Sequence, residues 1–166
     1  MNIAVQIEPT AGALSDVDYR WDIDTDILTA TLRNGATGKG MSGSVELAGS
    51  DGSWVVLDVE AGRIHGVEVA VWPDVRKVAT LSPPEAQSAS IVVPSRHSQP
   101  DVAAVEVDTS LIAEADQAER TIHFKLGVKR PARAIRFARD LLLELDERDR
   151  IAGLWLLNVP PFPEDE

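Results

Sequence analysis

Two stretches of this chain read alike and decide its fold: Leu57 to Trp72, LDVEAGRIHGVEVAVW, and Leu143 to Val159, LELDERDRIAGLWLLNV. Each starts apolar–acidic–apolar, passes an acidic turn, reaches Arg-Ile-x-Gly and runs on as an apolar strand. Gly66 pairs with Gly153 and Leu57 with Leu143, so the second turn is longer by one residue. Upstream, DILTATL (26–32) matches RTIHFKL (120–126), and AVQIE (4–8) matches AVEVD (104–108). Matching blocks in one order and at steady spacing mark an internal duplication, which governs the fold before any single element does.

Around these blocks the apolar period is two. Tyr19, Trp21 and Ile23 share one face of DYRWDID, with Asp18, Arg20, Asp22 and Asp24 on the other. Leu28, Ala30 and Leu32 oppose Thr29, Thr31 and Arg33. Such alternation predicts half-buried antiparallel strands. Ser50-Asp51-Gly52 is a tight hairpin signal, Gly62 supplies the next turn, and the unit reads as a four-stranded meander. Residues 132–147 carry both helical spacing (Ile135, Ala138, Leu142, Leu145) and alternation (Ile135, Phe137, Leu141, Leu143, Leu145). Their counterpart SWVVLDV is β-branched, which favours strand.

Between the copies, over roughly Pro73 to Val102, five prolines and several serines mark a connector. Within it Ser82-Pro83-Pro84-Glu85 has the capping-box form and predicts a short helix over 83–89, while Ser90–Val93 reads as a strand. The expected architecture is therefore mainly β. Two related antiparallel β-meander repeats pack as a pseudo-symmetric sandwich or barrel, with at most one or two short helices. The repeats occupy 1–73 and 102–166, with the connector at 74–101. Trp155, in a strand apolar on both faces, is expected in the core, as are Trp21, Trp54 and Trp72.

The 166 residues are 44% hydrophobic, enough for a packed interior. The N-terminal MNIAVQIEP lacks the basic and apolar regions of a signal peptide, and no apolar run is long enough to cross a membrane as a helix, so a cytoplasmic chain without membrane attachment is expected. No cysteine is present, which excludes disulfides, thiol nucleophiles and thiolate metal sites. The net charge of −11 argues against nucleic acid as a partner. One basic stretch, Lys125, Lys129, Arg130, Arg133, Arg136 and Arg139, reads as a guarded edge strand or, alternatively, as a contact patch for an acidic partner.

WDIDTDILTATL followed by VVLDVEAGRIHGVEV resembles a widespread family of short bacterial domains of unknown function. That family's pattern is an Asp-x-x-x-Asp-x-Leu strand, then an Asp-rich turn with Gly-Arg-Ile-x-Gly-x-Glu. Asp22, Asp26, Leu28, Asp58, Gly62, Arg63, Gly66 and Glu68 carry the match. The resemblance covers residues 18–72 well and 112–159 loosely. It implies a tandem version of a unit usually found singly, and it implies no reaction. In the second copy Arg120 stands for Asp26, Asp149 for Gly62 and Trp155 for Glu68, so a carboxylate site of this pattern is confined to the first half.

Asp22, Asp24, Asp26, Asp58 and Glu68 form the candidate carboxylate cluster. Asp22-x-Asp24-x-Asp26 starts like a calcium loop, but Ile27 stands where its glycine belongs and Arg33 where its bidentate glutamate belongs. The competing reading is a turn in which these carboxylates cap backbone amides. His65, His97 and His123 lack zinc spacing. Ser95 with His97 lacks the surroundings of a catalytic triad. Gly35-x-x-Gly38-x-Gly40 lacks the Gly-Lys-Ser/Thr of a phosphate loop. No catalytic residue, metal or cofactor is assigned.

The sequence points first to a non-enzymatic scaffold or protein-interaction module that binds an unidentified protein partner, with self-association as a further possibility. The alternatives are a small-molecule-binding protein or small enzyme with a site between the repeats, and an acidic inhibitor or immunity-type protein with a basic partner.

Overall fold

The computed structural model describes residues 4–9, 13–34, 42–94 and 104–163, with the backbone alone for 104–108. Ser95, His97 and the Gly35–Gly40 loop lie outside the described residues. Those residues form strands, turns and extended segments with no helix, so the chain is mainly β. In the first half the strands are β1 (Gln6–Pro9), β2 (Val17–Trp21), β3 (Leu28–Leu32), β4 (Gly43–Gly49), β5 (Trp54–Glu60) and β6 (Arg63–Val71). The connector holds β7 (Val75–Lys77) and β8 (Ala86–Val92). The second half holds β9 (Ala104–Thr109), β10 (Leu111–Ala115), β11 (Ile122–Leu126), β12 (Ala132–Ala138), β13 (Leu141–Asp146) and β14 (Ile151–Leu156).

Neighbours run β2-β3-β6-β5-β4 in the first half and β10-β11-β14-β13-β12 in the second, all antiparallel. The meander is modified in one respect: β3 lies against β6, not β4. The β3–β4 connection spans 33–42, long enough to step across two strands, whereas a two-residue turn would force adjacency. A parallel strand then extends each half at the same place. β9 aligns Ala104 with Ser44 of β4, and β8 aligns Ala86 with Ala134 of β12.

Register agrees residue by residue. Gly66 faces Thr31 on one side and Asp58 on the other, and Gly153 faces Lys125 and Glu144. Each half breaks register immediately after that point, between Asp58 and Val59 and between Glu144 and Leu145. The glycines are dictated by space. A Cβ on Gly66 would stand 2.9 Å from the Ala30 carbonyl oxygen, and one on Gly153 would stand 2.9 Å from that of Phe124.

The predicted helix over 83–89 is corrected by β8. Pro84 disfavours the helical region for Pro83, so the helix cannot start there. The edge of β12 offers Ala86–Ser88 a ladder instead. Residues 132–147 form two strands around a turn at Arg139-Asp140, so their helical spacing has no structural counterpart.

Side chains from both halves, β8 and the Val5 segment share one core, with Phe124, Leu28, Leu47, Leu57, Ile91 and Leu143 fully buried. A smaller cluster of Ala134, Leu142, Trp155 and Leu157 covers the opposite side of β12–β14, sealed by Leu81 and Ala86 of the connector. This accounts for a strand β13 that is apolar on both faces. Trp54, in contrast, is 42% exposed.

Polar bonds also join the halves. The Tyr19 hydroxyl donates to the Leu157 carbonyl at 2.7 Å, and burial pushes its pKa well up. Tyr19→Phe is expected to cost about 0.5–1.5 kcal/mol in urea unfolding, the worth of one such bond. No helix among the described residues is long and apolar enough to cross a membrane.

Candidate functional site

Each half contains a turn closed by an aspartate, the first before β3 and the second before β11. In the first, Asp22 N–H donates to Ile27 O, Asp24 N–H to Asp22 Oδ1 and Asp26 N–H to Asp22 O. Asp26 then takes a left-handed φ of 61°, a conformation Asp tolerates better than most residues. In the second, Asp116 N–H donates to Thr121 O, while Asp116 Oδ1 accepts from the amides of Arg120 and Thr121 at 2.8 and 3.2 Å. Asp116 is a turn cap that the sequence comparison left out, although it sits at the same offset from its strand as Asp22.

The two turns face one groove of about 550 Å³. Its aromatic wall is built by Trp21 at the end of β2, Trp72 just after β6, and Phe162 on the C-terminal segment. Trp21 stacks on Trp72 with centroids 5.7 Å apart and meets Phe162 edge-on at 5.2 Å and 78°. The indole N–H of Trp21 donates to the Pro160 carbonyl at 2.9 Å, and that of Trp72 to the Asp26 carbonyl at 2.7 Å. Both rings are therefore fixed by backbone acceptors and spend their one polar group on them. Val75, Ala115 and Ile122 add apolar lining, and the charged lining groups are Asp26 and Glu119. Glu119 lies 3.4 Å from Lys77 Nζ, both largely exposed. Sequence reading placed Trp21 and Trp72 in the core. They are half-buried, and the signal that separates them from Trp155 is their position at strand ends.

A second cleft of about 510 Å³ lies on the outer face of the second half. There His123 Nε2 pairs with the Glu144 carboxylate, and the imidazole stacks on Trp155 at 3.9 Å and 10°. Register explains the reach. Glu144 is opposite Gly153, and its carboxylate crosses over that glycine, where a Cβ would collide with Oε1, to meet β11. Lys125 and Glu114 form an adjacent pair at 2.5 Å, which with the nearby positive charges lowers the Glu114 pKa. Sequence reading took His123 for a plain strand residue, and nothing in its spacing names Glu144 as its partner.

The five candidate carboxylates are spread out. Asp22, Asp24 and Asp26 are exposed in the first turn. Asp58 and Glu68 share the outer face of β5–β6, but Glu68 is opposite Val56 and Asp58 opposite Gly66, so they stand diagonally. Partial burial raises the Asp58 pKa, with His65 acting the other way. Among the described residues no three His, Cys, Asp or Glu side chains gather to hold a metal.

The candidate basic residues are mostly drawn into local pairs. Arg130 binds Asp146 at 2.9 Å, Arg133 binds Asp149 at 2.9 Å, and Arg139 binds Asp16 at 3.1 Å. Arg136 donates to the Arg139 carbonyl, and Lys129 lines the second cleft. Comparison with protein-family models and with curated proteins finds no match to this chain.

Proposed function

We propose that this protein is a non-catalytic binding module made of two copies of one β unit, and that it holds its partner in the aromatic groove between them. The observation that carries this is the set of Trp21, Trp72 and Phe162 around a groove lined from both halves. Half-exposed aromatic residues with fixed rings are the groups that dominate recognition surfaces, and junctions between units are favoured ligand locations. Val75, itself exposed, adds to the apolar lining. The matching strand order, glycine contacts and register breaks support the duplication. They also support the likeness to the bacterial domain family, whose Asp22, Asp26, Gly62 and Gly66 positions correspond to turn and packing requirements of the fold.

The test is a small-fragment screen read by ¹H–¹⁵N spectra of the four indole groups. Hits are expected to move the Trp21 and Trp72 Nε1–H resonances and leave those of Trp54 and Trp155 in place. Hits that gather instead around His123 and Glu144 would transfer the site to the second cleft, and a screen without hits on either indole would overturn the groove reading.

A further inference from the structure

We infer that the aromatic groove recognises an alkylammonium group, a compact cation clothed in methyl or methylene carbon; this rests on the groove being the binding site. Both indole N–H donors are already committed to backbone carbonyls, so the aromatic wall offers a ligand only the ring surface that the Trp21–Trp72 stack and the Trp72–Phe124 contact leave open. A face of this kind attracts a cation through the ring quadrupole, and tryptophan does so best. Trp21 and Phe162 stand at 78° to each other, which makes a corner of two rings.

The remaining chemistry has one sign. Among the described residues the ionisable lining groups are Asp26 and Glu119, and no Lys, Arg or His lines the groove. The Asp26 carboxylate makes no hydrogen bond or ion pair among the described residues, because it is the Asp26 backbone that serves the turn and Trp72. Glu119 already holds an ammonium, that of Lys77, at the groove's margin. The chain's net charge of −11 draws cations toward it. A neutral apolar ligand would leave the Asp26 carboxylate without a counter-charge, and an anion would be repelled. The group can belong to a free small molecule or to a methylated lysine side chain.

The experiment titrates the full chain with three probes, followed by the Trp21 and Trp72 indole resonances. The probes are choline, its neutral isostere 3,3-dimethylbutanol, and a short peptide carrying trimethyllysine. Choline, the peptide or both are expected to bind at least about tenfold more tightly than the neutral isostere. Which of the two binds identifies the source of the group.

Asp26→Asn keeps a residue that accepts left-handed φ, and Phe162→Ala trims an exposed ring, so both variants are expected to fold. Each should weaken binding severalfold, and Lys77→Gln should strengthen it by freeing Glu119. Equal binding of the neutral isostere, with Asp26→Asn silent, would overturn the cation inference and leave the groove as an apolar site. If no probe moves either indole, the cation inference falls, and the fragment screen then decides the groove itself.

Discussion

Asp146→Asn is expected to lower the free energy of unfolding by about 3–5 kcal/mol, the usual result of removing one partner from a buried ion-pair network. Asp146 is 5% exposed at the end of β13. Its Oδ1 accepts from the Arg148 and Arg150 amides at 2.9 and 3.0 Å, and its Oδ2 from Arg130 Nε and Arg150 Nε at 2.9 and 3.1 Å. Arg130 in turn donates to the carbonyls of Leu126, Val128 and Ile151. One carboxylate therefore ties the turn before β14 to the loop after β11. Asparagine removes the charge and turns an NH₂ group toward two guanidinium groups. Urea unfolding at neutral pH measures the loss, and a change below 1 kcal/mol would show that the network contributes little.

The same residue sets an acid limb of stability. Burial alone would push its pKa up, but the Arg150 amide, the Arg130 guanidinium and the Arg148 amide outweigh it and hold the carboxyl at about 2. The unfolded chain, with an ordinary pKa of 3.8, takes up the proton first. The stabilisation is thus complete only above about pH 5 and is lost progressively as pH falls through 3.8 toward 2. With allowance for solvent at the rim it amounts to roughly 1–2 kcal/mol. Asp146→Asn should lack this part of the acid dependence.

Gly153→Ala should cost about 1–3 kcal/mol, and Gly66→Ala somewhat less, the range for forcing a methyl into a filled site. Both new Cβ atoms meet a backbone carbonyl at 2.9 Å, which cannot swing aside as a side chain does. Gly153→Ala additionally displaces the Glu144 carboxylate that crosses over it, so the His123–Glu144 bond is lost with it. Thermal unfolding compares the two variants, and the His123 ring resonances report the broken pair. Unchanged His123 resonances in Gly153→Ala would show that Glu144 reaches His123 by another route. Stabilities within 0.5 kcal/mol of the parent would remove the close-approach explanation of the repeated Arg-Ile-x-Gly.

The turn after Glu60 and the turn after Asp146 show how closely the written pattern tracks structure. The first uses Gly62 at φ 77°. The second, longer by one residue, uses Asp149 at φ 58° and closes through Asp146 N–H to Arg150 O. Both turns preserve the phase of the flanking strands, which keeps the two Arg-Ile-x-Gly blocks in step with their preceding strands. The capping pattern at 82–85 predicts a helix that does not form, because the second proline disfavours a helical first proline and the edge of β12 offers Ala86–Ser88 a ladder. The acidic DIDTDIL was legible as a corner. Its resemblance to a ligand set ends with Asp22 spent on the turn and Asp26 facing the groove.

Alternation, turn residues and the matched blocks depend on neighbours a few positions away, so the sequence by itself determined the mainly β content and most strand limits. The placing of β3 against β6, the stacking of Trp21 on Trp72, the reach of Glu144 to His123 and the burial of Asp146 depend on which distant strands become neighbours. A period of two says which face a residue occupies but not what lies across from it. That is settled only when both halves close on one core, and only the tertiary structure decided it.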